Sequence, residues 1–149
     1  MEQVIYAMRF TGKAEPVEGE SRQLRADTES PSSLVTSVID DAGVRGEVEE
    51  VGGQRACFES KVAMTSASSF QESGSIRFGE NGHLLRFSTL GEGHVAPSPA
   101  PGLVHGSVVW RVDGGEGQFA GASGLITSNF TLSDAGEVID NQFGVIWTK

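Results

Sequence analysis

Gly, Asn and Asp recur along this chain at nearly regular intervals, and that punctuation limits its possible folds more than any other feature. Turns are predicted at Asp40-Asp41-Ala42-Gly43, Gly52-Gly53, Glu80-Asn81-Gly82, Asp113-Gly114-Gly115 and Ser133-Asp134-Ala135-Gly136, because these residue types accept positive φ or close a turn with their own side chains. Asn81-Gly82 is the strongest signal, since a two-residue hairpin turn needs positive φ. It commits the segments on either side to pairing. Twenty glycines in 149 residues, with hydrophobic residues at 38%, suit short strands and tight turns rather than helices.

Between the turns, strands are expected at 3–14, 33–39, 44–51, 55–65, 70–79, 83–93, 104–112, 125–132 and 138–148, with a weaker one near 22–27. That many strands on short turns favour one all-β domain over residues 1–149: a closed antiparallel barrel of about eight strands, which leaves no edge exposed. In 104–112, Val104, Val108, Trp110 and Val112 share one face, with His105, Ser107, Val109 and Arg111 on the other. In 138–148, Ile139, Phe143, Val145 and Trp147 oppose Asp140 and Gln142. In the first strand Val4, Tyr6, Met8 and Phe10 oppose Gln3 and Arg9. Residues 15–31 are acidic and turn-rich, and 96–102 run Ala-Pro-Ser-Pro-Ala-Pro-Gly. Both are expected to be surface loops, because prolines withhold the donors a sheet needs.

Net charge restricts the partners. Twenty acidic against 11 basic residues give −9, a field that repels phosphate backbones and argues against nucleic acid. No apolar run approaches the roughly 20 residues that span a bilayer, so no membrane partner is expected. The start Met1-Glu2-Gln3-Val4 is acidic and enters a strand pattern at once, unlike a signal peptide. The single cysteine, Cys57, rules out an internal disulfide and a thiolate cluster for zinc. A cytoplasmic location is therefore expected.

The run Gly115-Glu116-Gly117-Gln118-Phe119-Ala120-Gly121-Ala122-Ser123-Gly124 has the glycines of a phosphate loop without its context. A strand pattern follows it, where a dinucleotide fingerprint would open a helix. It reads instead as a bent crossing between strands, with Phe119 anchoring the bend in the core. Taken with Phe78-Gly79-Glu80-Asn81-Gly82-His83, and with Cys57 lying 21 residues ahead of Phe78, the run resembles the plant allene oxide cyclases and the wider group of allene-oxide-cyclase-like, calycin-like barrels. The resemblance implies an eight-stranded antiparallel barrel around a largely apolar cavity, usually assembled as a trimer. It also implies that Cys57 stands for the family's cavity cysteine, and that Pro31 or Pro16 stands for a proline near the barrel mouth. The glutamate and asparagine that the family places shortly before that proline have no counterpart: Arg22 and Leu24 precede Pro31, and Ala7, Met8 and Arg9 precede Pro16.

Alternation puts Glu59 and Lys61 on the face of Cys57, opposite Phe58, Val62 and Met64. Turned inward, Glu59 would be a buried carboxylate suited to general acid or base work. Turned outward, the three form a solvated stripe. The cysteine match favours the inward choice, so Cys57, Glu59 and Pro31 are the candidate catalytic residues. Tyr6, His94, His105, Trp110 and Arg111 are candidates for the cavity or its mouth. Two histidines flanking a loop, without a paired carboxylate, do not make a metal site, and no Ser stands in a nucleophile elbow.

The expected function is a small-molecule cyclase or isomerase that orients a largely apolar substrate in the cavity, excludes water and needs no cofactor. The alternative is a non-catalytic barrel that binds an apolar small molecule. A homo-oligomer, such as a trimer, is expected because several strands carry apolar residues on both faces.

Overall fold

A computed structural model describes residues Met1–Lys149. Eleven strands follow one another: β1 (Glu2–Pro16), β2 (Gln23–Ser30), β3 (Ser33–Asp40), β4 (Gly43–Glu50), β5 (Ala56–Met64), β6 (Ser69–Phe78), β7 (Leu84–Thr89), β8 (Gly93–Pro97), β9 (Leu103–Glu116), β10 (Ser123–Ser133) and β11 (Glu137–Thr148). Eight of them pair in the cyclic order β1-β2-β5-β6-β7-β9-β10-β11, and β11 returns to β1. Every pairing is antiparallel, so the sheet closes into the expected barrel. β8 bridges β9 and the start of β6 at one end of the barrel. No helix is long and apolar enough to cross a membrane.

The two stretches read as loops are partly strand. β2 lies within 15–31 and pairs along its length with β5. Its outward Arg25, Asp27 and Glu29 made the segment look solvated, while Ala26, Thr28 and Ser30 point inward and are buried. In the Pro-rich stretch, Ala96 and Pro97 pair with His105 and Val104; Pro97 is tolerated because it closes a short end strand. Asp113-Gly114-Gly115 is not a turn. β9 runs through it to Glu116, kinked where Gly114 takes φ 77°, opposite the register shift between Leu85 and Phe87. The Asn81-Gly82 turn belongs to a wider loop closed by the Phe78 N–H donating to the His83 carbonyl at 2.8 Å. The Gly115–Gly124 run ends β9, makes one 3-10 turn at Gly117–Phe119 and enters β10, with Phe119 buried as expected.

β3 and β4 leave the barrel as a separate two-stranded hairpin. Leu34, Ile39 and Val44 on it are exposed. Barrel closure needs strong coiling, and Gly12 and Gly74 provide it. A Cβ at either would collide with the carbonyl of Asp27 or Glu59 on the adjacent strand, so only glycine permits that approach.

Inside, the two ends of the barrel differ. One end is filled by Phe10, Ile76, Leu85, Val112, Phe119, Ile126 and Ile146, all buried. Aromatic packing joins this plug to the middle layer: Phe10 lies 6.0 Å from Phe58, which lies 5.3 Å from Phe87, and Phe87 lies 4.5 Å from Trp110, centroid to centroid, contacts worth about 0.5–1.5 kcal/mol each beyond their area. The other end is hollow.

Candidate functional site

The hollow end is a cavity of about 320 Å³. Its outer wall is aliphatic: Leu24, Met64, Val95, Leu132 and Val138 line it and are partly buried, and Val104 is 36% exposed at the rim. Deeper down the lining becomes polar on an aromatic bed. Thr28, Glu72, Ser128 and Asp140 are all buried there, beside Phe58, Phe70, Phe130 and Trp110. Strand alternation produces this floor, since each polar residue has the inward parity of its strand. Glu72 shares its face with Phe70 and Ile76, and Asp140 shares its face with Gln142 and Ile146.

Each carboxyl is held by the barrel wall. Glu72 accepts from Ser60 Oγ at 2.6 Å and from Trp110 Nε1 at 3.2 Å. Asp140 accepts from Ser128 Oγ at 2.5 Å and from Gln142 Nε2 at 2.8 Å. The Gln142 carbonyl in turn accepts from the Tyr6 hydroxyl at 2.8 Å, a chain of three side chains running beneath the floor. Burial raises Glu72 to about 7, opposed by the Ser60 bond and reinforced by the charge of Asp140. Burial raises Asp140 to about 6, opposed by its bonds to Ser128 and Gln142. Tyr6 is pushed well above its usual value by burial and then by Asp140. A desolvated carboxyl facing apolar walls favours its neutral form, which sets these directions. Thr28 Oγ1 is buried and has no hydrogen-bond partner. No Lys, Arg or His lines the cavity.

Of the residues singled out from sequence, Trp110 lines the cavity and Tyr6 lies below it. The others are elsewhere. Cys57 and Glu59 stand on the outer face of β5, whereas Phe58 and Ser60 point inward and are buried. The expectation that they share the cavity is therefore corrected by one residue of register. Glu59 lies 3.6 Å from Arg25 in an exposed ion pair. Pro31 follows the end of β2 opposite the rim residue Leu24, so it does not border the mouth; its carbonyl accepts from Ser30 Oγ and Ser33 Oγ. Arg111 points outward to Asp113 at 3.1 Å and to Ser88. His94 and His105 are exposed and line one outer groove with Arg9, Asn129 and Asn141. No three His, Cys, Asp or Glu side chains converge to hold a metal.

Glu72 and Asp140, not among the site candidates read from the sequence, are the ionisable groups that line the cavity. Glu72 carried a legible signal, as a lone acid at the parity of Phe70, Ile76 and Phe78. Asp140 carried none, because the opposite face of β11 is the more apolar one. No family model, curated protein or solved structure matches this chain.

Proposed function

We propose that the protein is a small-molecule isomerase or cyclase that takes a largely apolar substrate into the hollow end of the barrel and works without a cofactor. The observation that carries this reading is Glu72, a buried carboxyl held by Ser60 and Trp110 at the floor of a largely apolar cavity, where burial raises it to about 7. A group with that value is available in both protonation states near neutrality, which is what general acid and base catalysis requires. In an isomerisation by proton transfer, one proton is taken from the substrate at one position and one is returned at another, and a single carboxyl does both, ending in the state in which it began. The aliphatic wall orients the substrate and keeps water out, while Ser60 and Trp110 Nε1 fix the carboxyl. At roughly 30 Å³ per water-sized group in a liquid, the cavity holds about ten heavy atoms.

One observation favours the second reading, a binding barrel without catalysis. All four carboxyl oxygens already accept a protein donor, which fixes both acids in place, as a preformed binding floor requires and proton transfer does not. Incubation with cell-extracted small molecules, followed by native mass spectrometry and analysis of the released compound, separates the two. Release of a rearranged isomer supports catalysis, with Glu72→Gln retaining the ligand unrearranged. Release of the unchanged ligand from the native protein supports binding alone.

The reading includes a symmetric homo-oligomer. Ile5, Leu125, Phe143 and Trp147 are 42–58% exposed on adjacent strands, where Ile5 and Leu125 flank Val145 in register. Contiguous apolar surface of this kind is typical of association faces. Sedimentation at micromolar concentration tests it, and a monomer would contradict it.

A further inference from the structure

Three features of the cavity floor bear on what the ligand carries. Thr28 Oγ1 is buried, faces the cavity and has no partner in the protein, a state that costs stability unless something else supplies the bond. Asp140 lies on the other side of β1 from Thr28. Gly12 pairs with Thr28 on one side and Val138 on the other, so Thr28 has no β1 side chain beside it, and Asp140, two residues further along β11 on the same face, pairs with Phe10. Thr28 and Asp140 are separated by two strand spacings and two residues of strand rise, about 12 Å between backbones, with both side chains directed inward. Third, two acids and no base line the space. A carboxylate ligand would add a further negative charge to a desolvated site with nothing to neutralise it. A cation would meet acceptors and the faces of aromatic rings.

We infer that the cavity's ligand carries a primary amine, bound as the ammonium ion by Asp140 and Thr28, with its apolar body against Trp110, Phe70 and Phe130. The inference rests on the proposed use of the cavity and adds the class of the ligand's polar group. An ammonium group has three donors and no acceptor. The Thr28 hydroxyl and the second lone pairs of the Asp140 carboxylate are acceptors left unused by the protein. Glu72 is then left for the chemistry.

Calorimetric titration of the full chain at neutral pH with octylamine, octanol and octanoate tests this, since all three fit the cavity volume and differ only in the head group. Octylamine is expected to bind one to one, about tenfold tighter than octanol and about a hundredfold tighter than octanoate. Asp140→Asn should bring octylamine to the level of octanol. Thr28→Val should melt higher than the native chain, having lost an unpartnered hydroxyl, and bind octylamine severalfold more weakly. Octanoate or octanol binding as tightly as octylamine overturns the amine assignment and leaves the cavity reading standing. Octylamine binding that does not saturate, or that folded Asp140→Asn leaves unchanged, is attraction to the acidic surface and also overturns it. Absence of binding by all three overturns the cavity reading together with the inference. If Asp140→Asn does not fold, the order of the three probes on the native chain decides the matter.

Discussion

The two ends of the barrel interior are built on the same eight strands and the same alternation, yet one is packed solid and the other is hollow. At the filled end the inward positions hold Phe10, Ile76, Leu85 and Ile146, each fully buried. At the hollow end the same positions hold Ala26, Thr28, Ser60 and Ser128, residues too small to meet across the axis. The difference gives one end a packed core and the other an open space with a polar floor. Two carboxyls are tolerated at the hollow end because its walls supply four donors to them, an arrangement that a solid hydrocarbon plug could not offer.

Truncation should affect the two ends most unequally. Phe87→Ala, beneath the cavity floor, should cost about 3–5 kcal/mol, while Leu132→Ala or Val138→Ala at the partly open rim should cost under about 1 kcal/mol. Urea denaturation measures both. Equal losses would mean that the hollow end is as tightly packed as the other.

The acids give the next largest effect, and its sign follows from their raised values. The folded protein holds a proton on Glu72 up to about pH 7, while the unfolded chain releases it near 4.5. The stabilisation is complete below 4.5 and is lost as pH rises through about 7; Asp140 behaves alike between 3.8 and about 6. Glu72→Gln should therefore gain stability over the native chain on going from pH 4.5 to pH 8, by on the order of 3 kcal/mol. A constant difference between the two proteins across that range would show that Glu72 is solvated.

How legible this was in the sequence depended on which face of each strand was the more apolar. Strand 104–112 was read correctly, with Val108, Trp110 and Val112 inward, because its outward face carries His105, Ser107 and Arg111. β11 presents the reverse case. Ile139, Phe143 and Trp147 are exposed, and Asp140, Gln142 and Gly144 are inside, so an apolar-inward rule turns the strand over and hides the acid. In β5 polarity alone pointed the right way, with Phe58 and Val62 against Glu59 and Lys61, and the match of Cys57 to a family cysteine led away from it. The hairpin strands β3 and β4 were found nearly to the residue, but their departure from the barrel was not legible, since Leu34, Ile39 and Val44 look like core residues. Turn chemistry, being local, was readable except at Asp113-Gly114-Gly115, where the glycines kink β9 instead of ending it; the direction of a side chain, set by partners far along the chain, was readable only where one face was unambiguous.

Smaller effects sharpen the inner and outer assignments. Trp110→Phe keeps the packing but removes the Nε1 donor from Glu72, and should cost about 1 kcal/mol. It should also raise the Glu72 titration further, measured by the pH dependence of stability. Cys57→Ser and Glu59→Gln, on the outer face, should each change stability by less than about 0.5 kcal/mol and leave octylamine binding unaltered. A large change in either property would return these residues to the interior.

Buried carboxyls that a ligand can reach form the floor of the hollow end, and carbon-13 NMR of the Asp and Glu side-chain carboxyls across pH reads them one by one. With Glu72→Gln and Asp140→Asn to assign the signals, two resonances should titrate near 7 and near 6. Saturating octylamine should move both. Titration of every acid in the ordinary range near 4, with no response to the amine, would mean that the hollow end has no buried carboxyl on its floor.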